Sequence, residues 1–75
     1  MNSRQVLEIT DSLTERAENY GLGRMATRCA LGAYDEISRQ RTVTPQDLEK
    51  SWKAAYNWSA ADSGSGSEAA RNAYH

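Results

Sequence analysis

The sequence predicts an all-α fold, a small three- to four-helix bundle with a disordered C-terminal tail. Three observations carry that expectation. Apolar residues recur at three- and four-residue steps through the first forty positions, the spacing of one face of a helix. "RTVTPQDLEKSW" (Arg41 to Trp52) holds a strong helix start. After Trp58 the chain turns to Ser, Gly and Ala, as in "SAADSGSGSEAARNAYH". The expected division is a helical unit over 1–59 and a flexible Gly/Ser-rich tail over 60–75.

The first helix is expected from Ser3 to about Glu18, with Val6, Leu7, Ile9, Leu13, Ala17 and Tyr20 on its apolar face. A break near "TDS" would let Asp11 cap a new helix at Ser12, with Glu15 in its acidic first turn. "YGLG" then punctuates the chain, because Gly21 and Gly23 reach backbone conformations that other residues resist. The second helix is expected from about Gly23 to Gln40. Met25, Cys29, Ala33 and Ile37 make its stripe, with Ala26, Ala30 and Tyr34 beside it. Gly32 weakens that helix by about 1 kcal/mol relative to alanine, so a close helix approach is expected there. The third helix runs from Pro45 to about Trp58. Thr44 is its N-cap, Pro45 its first residue and Asp47 the acid of a capping box, while Val43 and Leu48 are spaced as a hydrophobic staple. Leu48, Trp52, Ala55 and Tyr56 form its apolar side, and Lys50 and Lys53 lie outside it. "EAARNAYH" is expected to give a short fraying helix or none.

With 75 residues, one small domain is the ceiling, and a core of this size buries only about 60% of the unfolded surface. The net charge of −1 argues against a general nucleic-acid binder, which carries a basic face and a pI above about 9. Arg24, Arg28, Arg39 and Arg41 form at most a local basic patch, expected to be solvated. Cys29 is the single cysteine, so no intrachain disulfide forms, and it is expected to pack as a small hydrophobe. The single histidine is His75, and no metal-ligand cluster is visible. There is no phosphate-binding loop G-x-x-x-x-G-K-[ST] and no Ser/His/Asp set, so no catalysis is expected from this chain alone. No apolar run has the length of a membrane span, and no N-terminal signal peptide is visible. "NWS" (Asn57 to Ser59) therefore carries no glycosylation meaning, and a cytoplasmic location is expected.

Several stretches together resemble the small helical lid subdomain at the C-terminal end of AAA+ ATPase modules. "RQVLEI" (Arg4 to Ile9) is similar to the first lid helix, and "LTERAENYG" (Leu13 to Gly21) to the family's L-A-x-x-T-x-G-Y-[ST]-G stretch. Tyr20 and Cys29 stand at the separation of its tyrosine and frequent cysteine. Gly32 and Ala33 stand where it has two small residues. "VTPQDLEKSWKAA" (Val43 to Ala55) is similar to its V-T-x-x-D-[FL]-x-x-A ending. The likeness covers Arg4 to Ala55. It departs from the proteasomal branch in a shorter segment between Ile9 and Leu13, and in "LGR" replacing Gly-Ala-Asp at the second helix. "GLGR" (Gly21 to Arg24) instead resembles the Gly-x-x-Arg sensor-2 motif of other AAA+ branches.

That resemblance implies that Arg24 reaches toward the γ-phosphate of ATP, with Gly21 and Gly23 letting the backbone come close. ATP would be held by a large AAA+ subdomain outside this sequence. The partners implied are that subdomain, neighbouring ring subunits and, through the tail, the α-subunits of the 20S proteasome. Ala73, Tyr74 and His75 resemble the hydrophobic–tyrosine–any ending by which proteasome-activating ATPases dock. No nucleic-acid or membrane partner is expected. Other readings of the same residues stay open. Gly21 and Gly23 would simply form a tight turn beside a solvated Arg24, and Tyr74 would be incidental in a disordered end. "RTVTPQDLEKSWKAA" also resembles the end of a histone fold, which would make the chain a DNA-binding domain. A third possibility is a small interaction module anchored by exposed Trp52, Tyr56 or Trp58.

Overall fold

Four helices make up the computed structural model, which describes residues 1–60 and 66–74. They are α1 (Ser3–Arg16), α2 (Tyr20–Ser38), α3 (Pro45–Ala60) and α4 (Gly66–Asn72). No strand occurs among the described residues, and α2 and α3 touch all the other helices except that α1 and α4 do not meet.

α1 begins at a capping box. The Asn2 side chain accepts from the Gln5 N–H at 2.9 Å, and the Gln5 side chain accepts from the Asn2 N–H at 3.0 Å. These bonds satisfy donors that the first helical turn leaves without partners. The expected break at Asp11 does not occur. The helix runs unbroken to Arg16 and stops where Ala17 turns extended, at φ −69 and ψ 139. Its inward face is Val6, Thr10, Leu13 and Thr14, while Leu7 and Tyr20 face solvent. Threonine continues this buried stripe because each hydroxyl bonds back along the helix, Thr10 to the Val6 carbonyl at 3.0 Å and Thr14 to the Thr10 carbonyl at 2.9 Å.

α2 starts at Tyr20, three residues before the expected Gly23, because Asn19 caps it by accepting from the Leu22 N–H at 3.1 Å. Gly21 and Gly23 thus lie inside the helix, and neither adopts a left-handed backbone. Gly23 is there for closeness. A Cβ on it would lie 3.0 Å from the Ala17 Cβ. The buried stripe is Gly23, Ala26, Ala30, Ala33 and Ile37; it keeps Ala33 and Ile37 of the expected line, and Ala26 and Ala30, expected beside that line, take the place of Met25 and Cys29. Met25 is exposed, and Cys29 is only partly covered. Small side chains let the axes approach closely, which a Met25-centred stripe would prevent. Gly32 has no close neighbour, since a Cβ there would meet nothing within 4 Å. The packing role expected of it is therefore corrected.

α3 opens as expected. Thr44 Oγ1 accepts from the Asp47 N–H at 3.1 Å, and Asp47 Oδ2 accepts from the Thr44 N–H at 3.1 Å. Val43 and Leu48 are both buried, and Leu48 is fully so. Burying one such leucine stabilises the fold by roughly 1.5–3 kcal/mol.

The tail expectation needs revision over 66–74. Gly66–Asn72 is helical, and Ala69, Ala70 and Tyr74 are buried with the core. Ser51 of α3 donates to the Ala70 carbonyl at 2.8 Å, and Arg71 pairs with Glu36 of α2 at 3.7 Å. This segment joins the bundle through its two buried alanines and the Tyr74 ring. The "SGSGS" linker lies mostly outside the described residues, as does His75.

A polar chain crosses three helices. Trp52 Nε1 donates to Thr27 Oγ1 at 2.9 Å, and Thr27 and Thr14 share a hydroxyl–hydroxyl bond. Thr14 already gives its one proton to the Thr10 carbonyl, so Thr27 donates to Thr14. The hydroxyls of Thr14, which is buried, and of Thr27, which is half-buried, are thereby each used once as donor.

Candidate functional site

The candidate site is a groove of about 320 Å³ between α1 and α2. Arg24 and Arg28 lie along one side, with Tyr20 at one end and Leu31 at the other, and Asp11 of α1 lies opposite. Positions 20, 24 and 28 share one face because they are four residues apart, about 6 Å of rise per step.

Local sequence holds this face in place. Asn19 caps the helix start, and its own N–H donates to the Tyr56 hydroxyl at 3.2 Å, tying the entry of α2 to α3. Tyr56 is in turn stacked on Trp52, with ring centroids 5.1 Å apart and planes at 12°. Gly23 seats the first turns against Ala17. The next residue, Arg24, points outward and is exposed. It stands in the second turn of α2, one turn further from the helix N-terminus than the expected start at Gly23 would place it.

The electrostatics separate these arginines from the rest. Arg4, Arg39, Arg41, Lys53 and Arg71 pair with Glu8, Asp35, Asp47, Glu49 and Glu36 respectively. Arg24 and Arg28 have neither an ion pair nor a hydrogen bond among the described residues. The expected four-arginine patch therefore divides. Arg39 and Arg41 are engaged, and Arg24 and Arg28 stay open to a ligand. Thr27 also lines the groove, but its hydroxyl is committed to Trp52 and Thr14. What the groove offers is two guanidinium groups, one phenol and one carboxylate. Its two cations can bind an anion. No group of three or more His, Cys, Asp or Glu that could hold a metal ion occurs among the described residues.

The three residues expected to sense nucleotide thus differ in role. Gly23 seats the helix entry against Ala17 and Arg24 presents a charged group, while Gly21 is exposed and close only to the Asn19 side chain. The expected docking residues are arranged differently from a free tail. Ala73 is half-buried and Tyr74 is buried, with its carbonyl accepting from Arg41 Nη2 at 2.6 Å. Burial pushes the Tyr74 hydroxyl's pKa up. That hydroxyl makes no hydrogen bond of ordinary geometry, although Ser51 lies near enough to oppose the shift. Docking elsewhere would require this ring to leave the core first. Of the anchors expected for an interaction module, Trp52 is buried, Tyr56 half-buried and Trp58 exposed.

The contribution of Asp11 and Tyr20 to this groove was not anticipated. The available signal was the four-residue spacing of Tyr20, Arg24 and Arg28, which a helix starting at Gly23 conceals. Comparison with protein-family models, curated proteins and solved structures found no match to the chain. No helix among the described residues is long and apolar enough to cross a membrane.

Proposed function

We propose that the chain is the helical lid subdomain of an AAA+ ATPase, in which Arg24 reports the nucleotide held by a larger body. The observation that carries this reading is the state of Arg24. It is exposed, without an acidic partner, on a groove at the entry of α2. A guanidinium keeps its charge at every physiological pH and binds phosphate oxygens with paired donors. An arginine that makes no bond within its own domain is available to a group supplied from outside it. The capped start of α3 at Thr44 and Asp47 lies within the stretch on which the resemblance was drawn. The partners under this reading are the large subdomain, in the same polypeptide or another, and the neighbouring subunits of a ring.

The test uses the tagged chain as bait. It is expected to retain a P-loop ATPase, and Arg24→Ala is expected to lower the turnover of that assembly at least about tenfold, the effect of losing one charge-assisted phosphate contact. Its helicity should match that of the parent chain. Retention of no ATPase, or turnover indifferent to Arg24, overturns the reading.

A further inference from the structure

We propose that Arg24 and Arg28 act together as a two-point site for the run of phosphates of a nucleotide, with Asp11 setting its affinity from the opposite wall. The ligand class rests on the lid reading; the site rests on the groove itself.

Arg28 follows Arg24 by four residues, so both guanidinium groups project from one helical face, about 6 Å apart along the axis at their origins. Both line the same groove, both are exposed, and neither has a partner among the described residues. Two like charges side by side repel, and an unpaired pair on one face is relieved by a ligand that spreads negative charge over the same length. A single phosphate reaches one guanidinium well, whereas a chain of phosphates reaches both. Arg28 sits on the ridge between this groove and the one between α2 and α4. The acid in that second groove, Glu36, is engaged with Arg71, which leaves Arg28 uncommitted.

Asp11 gives the site a sign that can be tested. Its carboxylate has no ion pair among the described residues and faces the same groove. It attracts the two arginines and repels an entering anion. Binding is therefore held weak, as suits a group that must release a nucleotide after each cycle. A net acidic chain is also a poor scaffold for a long polyanion, which favours a short phosphate run over a nucleic-acid strand.

The experiment titrates the chain with sodium tripolyphosphate and, separately, with inorganic phosphate, following backbone amide resonances. Shifts are expected over residues 11–31, with tripolyphosphate binding at least about tenfold tighter than phosphate, as a two-point contact requires. Arg24→Ala and Arg28→Ala should each weaken tripolyphosphate binding about fivefold or more. Asp11→Asn should tighten it about threefold. These positions are exposed, so far-UV circular dichroism should be unchanged. If Arg24→Ala abolishes binding while Arg28→Ala has no effect, the two-point site is overturned and the role of Arg24 survives. Shifts scattered over other cations, or Asp11→Asn weakening the complex, overturn it as well. A single-stranded oligonucleotide that displaces tripolyphosphate at lower concentration overturns the nucleotide assignment. If the titration succeeds but the bait retains no ATPase, the lid reading fails and the two-arginine site stands, so the two failures are distinguishable.

Discussion

Arg41 binds the far end of the chain through Tyr74. Its Nη2 donates to the Tyr74 carbonyl at 2.6 Å, and its guanidinium lies 5.8 Å from the centre of the Tyr74 ring. The same side chain pairs with Asp47 at 3.3 Å, inside the cap of α3. One exposed residue therefore connects the start of α3 to the segment after α4. Arg41→Ala should cost about 1–2 kcal/mol, the range for a charge-assisted hydrogen bond that is partly solvated. Hydrogen exchange should speed up most at Ala69–Tyr74. Equal acceleration in all four helices would show that Arg41 is not a local tie.

Tyr74→Phe should leave stability unchanged or raise it by up to about 1 kcal/mol, because it removes a buried hydroxyl that lacks a good partner. Its pH signature is more specific. Burial raises the folded pKa above the ordinary 10.0. The folded chain thus holds this proton when the unfolded chain has lost it. Stability from this group is complete below pH 10 and falls as pH rises from there toward the folded value. Denaturant titrations at pH 9 and pH 11 should show a smaller alkaline loss for Tyr74→Phe than for the parent chain.

The two glycines of α2 should respond in opposite directions. Gly32→Ala should stabilise the chain by about 0.5–1 kcal/mol, since the helix gains a better former and the new methyl meets nothing. Gly23→Ala should destabilise it, because its methyl would crowd Ala17 at 3.0 Å and the Thr14 carbonyl at 3.4 Å. Thermal melts of the two variants decide this. Identical shifts would mean that the contact at Gly23 yields freely.

Asp47 predicts an acid-side loss. The Thr44 N–H lowers its pKa below 3.8 most strongly; partial burial opposes this, and the Thr44 side chain and the Arg41 charge assist it. A depressed folded pKa contributes stability above the unfolded value and loses it as pH falls through the folded value. The capping contribution should therefore be intact at pH 5 and decline below about pH 4. Asp47→Asn should flatten that decline when melting temperature is followed from pH 5 to pH 2.

What could be read from the sequence was what depends on neighbours in the chain. The start of α3 was legible because cap, proline, acid and staple all lie between Val43 and Leu48. The inward face of α2 was legible at Ala33 and Ile37 and misread in its first half, since hydrophobicity ranks Met25 and Cys29 above the glycine and alanines that the closest contacts require. α4 was obscure because its buried side chains are mainly alanines, and a seven-residue helix is held by the surface it meets and not by its own propensity. The groove was half legible. Arg24 and Arg28 were visible as cations, but only the fold assigns Arg41 to Tyr74 and Asp47 and leaves these two unclaimed.

The line from Trp52 through Thr27 and Thr14 to Thr10 runs one way, because an indole nitrogen can donate and never accept. If α2 slid by one turn in either direction, Gly23 or Leu31 would stand where Thr27 stands, and neither carries a hydroxyl. The indole would lose its acceptor and Thr14 its incoming proton, both at partly buried positions. Alanine-lined helices slip past one another easily; in this chain a single threonine works as the key that admits one alignment of α2 against α1 and α3.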